Sequence, residues 1–129
     1  MPARSITGPV LIVEDDGDVL NALRFALEIE GYDVQVFSTA AALAHAARDS
    51  GAACLIVDQG LPDETGLELI ARLRQRDIAT PAVLITTNLP SALQAQAAAL
   101  AVPVVEKPLL SNALFATVRS LIDQGRPQP

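Results

Sequence analysis

Five short apolar runs alternate along the chain with five stretches of helical periodicity. The runs are Pro9–Val13, Asp33–Phe37, Ala53–Val57, Ala82–Ile85 and Val102–Val105. Four of them contain no charged or hydrogen-bonding side chain, the pattern of parallel strands covered on both faces. Between them lie apolar stripes at helical spacing. Val19, Leu20, Leu23, Ala26 and Leu27 predict a first helix over 18–30, with Gly31 as its C-cap. Ser38 or Thr39 can cap a second helix running to Asp49. Leu67, Ile70 and Leu73 mark a third over Gly66–Gln75. Pro90-Ser91 opens an alanine-rich fourth over Ala92–Leu100. Leu114, Val118, Leu121 and Ile122 mark a fifth over Ser111–Gln124.

Alternating strands and helices predict an α/β fold: a doubly wound five-stranded parallel sheet with right-handed crossovers. Strand order 2-1-3-4-5, the flavodoxin-like arrangement, puts the topological switch point between strands 1 and 3. Residues 9–124 then form one domain, between an N-terminal lead (1–8) and a C-terminal tail or start of a linker (125–129).

Composition changes this picture in a few places. Half of the 129 residues are hydrophobic, yet there are only three Phe, one Tyr and no Trp. The core must therefore be built from Ala, Val, Leu and Ile. A net charge of −6 argues against a nucleic-acid footprint on this chain. The one cysteine, Cys54, sits inside an apolar run and reads as a small buried hydrophobe rather than a disulfide or metal ligand. His45, the one histidine, reads as an exposed helix residue. No apolar stretch approaches the roughly 20 residues of a membrane-spanning helix, and the first residues lack a signal-peptide core. A cytoplasmic protein without membrane contact is the expectation.

The chemistry is concentrated where the strands end. Glu14, Asp15 and Asp16 follow the first strand, Asp58 the third, Thr86 the fourth, and Lys107-Pro108 the fifth. In open α/β sheets the crevice lies at the carboxyl ends of the strands, so these residues should converge. Clustered carboxylates repel one another, and a divalent cation removes that conflict. Mg²⁺ suits an all-oxygen set that leaves room for waters and a phosphate oxygen. Asp15 and Asp58 are candidate direct ligands, the Gly60 main-chain carbonyl a third, and Glu14 a ligand through water. Asp58 can serve as nucleophile toward a phosphoryl group, Lys107 as its charge partner, and the Thr86 hydroxyl as a donor that moves to meet it. Asp16 alone could equally be a helix cap. A cis Lys107–Pro108 bond would aim the lysine inward.

The motifs VLIVEDD, LIVDQGLPDETG, LIT and VEKP occur in that order, each at a strand end. Together they resemble the receiver domain of bacterial two-component response regulators, over about Pro9–Gln124. The resemblance implies a phosphorelay signalling domain that is not an enzyme in the ordinary sense. It would accept a phosphoryl group on Asp58 from a histidine kinase or histidine phosphotransfer protein. It also implies Mg²⁺ at Glu14, Asp15 and Asp58, and switching of protein–protein contacts through Thr86 and Lys107. Kinase-side helices would dock near helix 1 and the loop after Lys107. A phosphorylation-dependent homodimer is a further option, with Phe115 as a candidate dimer face.

The chain departs from the family pattern at several positions. Val104 replaces the usual aromatic residue three before the lysine, Thr87 the usual Ala or Gly after the threonine, and Leu100-Ala101 the usual Gly-Ala. Gly60 and Asn88 fall at variable positions that tune phosphoryl lifetime. These changes point to an atypical switch around an intact phosphorylation site. Two alternatives are a phosphate-independent pseudo-receiver and an aspartate-nucleophile phosphatase. The second is poor, because Gly60 stands where such enzymes carry a second, acidic Asp.

Overall fold

A computed structural model describes residues 8–107 and 112–124. The elements run β1 (Val10–Val13), α1 (Gly17–Ile29), β2 (Val34–Phe37), α2 (Ala40–Ala47), β3 (Cys54–Asp58), α3 (Gly66–Gln75), β4 (Ala82–Thr86), α4 (Ser91–Ala99), β5 (Val104–Glu106) and α5 (Ala113–Gln124). The five strands are parallel in the order β2-β1-β3-β4-β5. The expected topology is thus the observed one. Ser111, the expected start of the last helix, and Pro108 lie outside the described residues.

The apolar runs hide a period of two. Leu11, Val13, Leu55, Val57, Ala82 and Leu84 face one helical layer, where they pack with Leu43 of α2, with Leu67, Ile70 and Leu73 of α3, and with Ala97 of α4. Val10, Ile12, Cys54, Ile56, Val83 and Ile85 face the other, with Leu23 and Leu27 of α1 and Leu114, Val118 and Ile122 of α5. A sheet buried on both sides needs apolar residues at every position, which is why alternation does not show in the sequence. Burial pushes the Cys54 thiol up to about 12, so it is an inert part of the second layer. His45 is exposed, as expected. Phe115, the candidate dimer-face residue, is half-buried against the same layer, so part of its ring belongs to the core packing. The large exposed hydrophobics among the described residues are Phe25 and Ile29, 66% and 68% exposed and one turn apart on α1.

Helix ends follow recognisable capping chemistry. Asp16 is the N-cap of α1, its carboxylate accepting from the backbone N–H groups of Asp18 and Val19. At the far end Gly31 takes φ +97°, its N–H donating to Glu28 while Tyr32 N–H donates to Leu27. This paired closure needs a left-handed residue, usually glycine. The same closure ends α4, but with Ala101 at φ +58°. Val102 N–H is thereby committed to Ala97, and Pro103 has no N–H, so β5 starts at Val104 rather than at the expected Val102. Replacing Ala101 with glycine is expected to relieve the strain, offset in part by unfolded-state entropy, for a net gain of about 0.5 kcal/mol. A thermal melt should show the midpoint rising by about 2 °C; an unchanged or lower midpoint would mean that the strain is not there.

Candidate functional site

The strand ladders continue past the strands and carry the polar residues to one place. β1 and β3 are in register with Val13 beside Val57, so Glu14 and Asp58 emerge as neighbours. Asp58 in turn pairs with Ile85, one residue before Thr86. Backbone bonds hold the outlying members: Glu14 N–H donates to Phe37 O at 3.1 Å, and Lys107 N–H donates to Thr86 O at 2.7 Å. The result is a crevice of about 670 Å³ at the carboxyl edge of the sheet, lined by Glu14, Asp15, Asp16, Asp58, Gln59, Gly60, Thr86, Thr87, Asn88 and Lys107.

Within it, Lys107 Nζ lies 3.0 Å from Asp58 Oδ1 and 3.0 Å from Glu14 Oε1. Glu14, Asp58 and Thr86 are buried, whereas Asp15 is exposed. Glu14 Oε2 accepts from Asp16 N–H at 3.1 Å. Its Oε1 is buried and pairs with the Lys107 ammonium at 3.0 Å. Burial raises the Glu14 carboxyl above its ordinary value; Lys107 and the Asp16 N–H act against that, and the Asp58 charge adds to it. Burial works to lower the Lys107 ammonium, but the hydrogen bonds and charges of Glu14 and Asp58 outweigh it, and the net shift is upward. The lysine is therefore held charged between two carboxylates.

Carboxylate oxygens of Glu14, Asp15 and Asp58 lie within 4.8 Å of one another. Three anions this close, two of them buried, make a donor set that fits a hard divalent cation such as Mg²⁺. Among the described residues no His or Cys lines the crevice, which disfavours zinc. Thr86 sits opposite, its hydroxyl in a long 3.5 Å contact to Asn88 O. Thr87 and Asn88 are exposed at the rim. Asp16, with its carboxylate committed to the α1 cap, is structural.

The loop between Asp58 and α3 is tightly specified. Gly66 has no room for a side chain: a Cβ there would lie 2.5 Å from the Asp58 carbonyl oxygen. Thr65 and Glu68 form a reciprocal capping box at the start of α3. Two roles in this loop were not visible in the sequence. Asp63 accepts from the N–H groups of Ala40 and Ala41, 3.0 Å each, capping α2 from 23 and 22 residues away. These bonds hold its carboxyl below its ordinary value. Gln59 accepts from Leu67 N–H at 2.9 Å. Asp63 is of a residue type that caps helices, but no local pattern names its target.

Comparisons with known proteins bear on the family and the fold. The E. coli K12 transcriptional regulatory protein BasR is 36% identical over 117 residues, covering 88% of this chain and 51% of BasR. FixJ of Bradyrhizobium diazoefficiens is 29% identical over 122 residues, 93% of this chain and 59% of FixJ. The chain thus spans about half the length of these curated relatives. Among solved structures, the CheY-like response regulator receiver domain protein of Methanospirillum hungatei superposes with a TM-score of 0.84 over 92% of this chain and 95% of its own, at 22% identity, a likeness of fold. A sensor protein from Polaromonas gives 0.79 over 90% and 97%, at 30% identity. The family model of the response regulator receiver domain matches residues 10–119, and with strand order, strand-end acids and lysine all in place the chain belongs to that family.

Proposed function

We propose that residues 9–124 act as a phosphorelay receiver that accepts a phosphoryl group on Asp58 with Mg²⁺ bound beside it. The observation that carries this reading is the Asp58 carboxylate itself. It is buried at a strand end, 3.0 Å from Lys107 Nζ, in a crevice shared with Glu14 and Asp15. An Asp58 oxygen attacks phosphorus, the bond from phosphorus to the donor's leaving atom breaks, and the leaving group departs with that electron pair. An acyl phosphate remains on Asp58. Lys107 offsets charge on the phosphoryl oxygens, and the Thr86 hydroxyl exchanges its long contact with Asn88 O for one of them. Asp15, Asp58 and the Gly60 carbonyl would hold Mg²⁺, with Glu14 acting through a water, and the ion would supply Lewis-acid stabilisation of the same charge.

Family membership supports a histidine kinase or histidine phosphotransfer protein as donor. Phe25 and Ile29, exposed on α1, offer an apolar contact for its helices. Val104 is half-buried against the first core layer and is not aromatic, so no ring stands at that position to report phosphorylation. Movement of Thr86 would reach partners through the 87–90 segment instead.

Thermal melts test the site. Mg²⁺ at ten times its dissociation constant should add about 1.4 kcal/mol of stability, and beryllium fluoride, a phosphoryl mimic, should add more. Neither increment should survive in Asp58→Asn. Equal shifts in wild type and variant would contradict the reading.

A further inference from the structure

Gln59, the residue after Asp58, fastens the phosphoacceptor loop at its neck. Its N–H donates to Ile85 O at 2.9 Å, and its own carbonyl accepts from Gly66 N–H at 3.0 Å. Its side-chain Oε1 accepts from Leu67 N–H at 2.9 Å. Only the amide oxygen can take that N–H, so the orientation of the amide is fixed by its partner. With Thr65 Oγ1 on Glu68 N–H, the first three N–H groups of α3 are all satisfied from this loop. Gly60 follows directly after this neck, paired across the loop with Thr65. Gly60 itself needs no special backbone angle, and a Cβ there would meet nothing closer than Asp58 Oδ2 at 3.8 Å. Its placement therefore comes from its neighbours rather than from being glycine.

We propose that Gln59 is a positioning residue for the cation site, its side-chain carbonyl locking residues 58–60 against the start of α3 so that the Gly60 carbonyl is presented as a ligand. The inference rests on the Mg²⁺ reading above. Residues that orient a metal ligand without touching the metal commonly change affinity by ten- to a hundredfold when replaced. Gln59→Met keeps the length and removes the acceptor. Gln59→Asn keeps the amide but is too short to reach Leu67. Gln59→Glu keeps an acceptor at the right place.

The test is a Mg²⁺ titration followed by carbon NMR of the Gly60 carbonyl and of the aspartate carboxyl carbons, with circular dichroism to check folding. In wild type the Gly60 carbonyl should respond together with Asp15 and Asp58. Gln59→Met and Gln59→Asn should bind about tenfold more weakly, with a smaller Gly60 response at saturation. Gln59→Glu should restore the Gly60 response, which added charge alone would not do. If Gln59→Met does not fold, Gln59→Asn carries the same test. Wild-type affinity and Gly60 response in both variants would overturn the inference. A silent Gly60 in wild type, with Asp15 and Asp58 responding, would overturn it and leave the Mg²⁺ reading standing. Silence at all three positions would overturn both.

Discussion

Replacing Gly66 with alanine is expected to destabilise the domain by about 3 kcal/mol, near the top of the usual range for overpacking, and to slow phosphoryl acceptance. The new Cβ would sit 2.5 Å from the Asp58 carbonyl oxygen, 2.8 Å from Leu84 Cδ1 and 2.9 Å from Val57 Cγ1. Leu84 could rotate, but the Asp58 carbonyl belongs to the β3 backbone and cannot move without moving the nucleophile. The first turn of α3 must therefore back away, and with it the Gln59 and Thr65 bonds that close the loop. Urea denaturation would give the loss of stability, and the acetyl phosphate reaction the loss of rate. An alanine variant within about 0.5 kcal/mol of wild type would show that the approach of α3 to β3 is looser than described.

Replacing Lys107 with methionine should have the second large effect. The ammonium is the partner of both Glu14 and Asp58, at 3.0 Å from each, and is itself only 23% exposed. Removing one member of a buried pair leaves an uncompensated charge, a loss of about 3 kcal/mol at neutral pH for a site with this much solvent. The sign of the pH dependence follows from the shifts. Lys107 is raised, so its contribution is fully present below its unfolded pKa and is lost only as pH climbs past the folded value, on the alkaline side of 10.5. Glu14 is also raised, so its ionisation weakens the fold as pH rises from the acid side through its folded pKa, above 4.5. Without the lysine that second trend should steepen: the variant should regain stability on mild acidification, and with Mg²⁺ at neutral pH. Phosphoryl acceptance should fall by about 10²–10³, the usual result of losing one stabilising group in a phosphoryl or oxyanion site. Equal stability profiles for variant and wild type between pH 5 and 8 would contradict the pairing.

Much of this site is legible in the sequence because topology does the assembling. Glu14, Asp58, Thr86 and Lys107 each follow or end an apolar run, and a parallel sheet brings such ends together whatever their separation along the chain. Fully apolar runs such as VLIV and CLIV also announce a sheet covered on both sides. Contacts that depend on the fold already being present are different. The Asp63 cap on α2 spans 23 residues, and only the assembled loop places that carboxylate over Ala40. Gln59 is not a residue type that signals a cap, and its partner Leu67 lies eight residues on. Ala101 occupies a left-handed position normally announced by glycine, so the closure that delays the start of β5 to Val104 carried no glycine cue. Phe115, off the ideal stripe of α5, still packs partly against the core because a phenyl ring reaches further than an alanine or leucine.

The central claim is that Asp58 accepts the phosphoryl group in a Mg²⁺-dependent reaction. Intact mass after incubation with Mg²⁺ and acetyl phosphate, beside a chelated sample and an Asp58→Asn control, tests it most directly. A single phosphoryl adduct that disappears with the chelator and with the substitution is the predicted result. An adduct that persists in Asp58→Asn, or none in either wild type or Thr87→Ala while Mg²⁺ is bound, would contradict it.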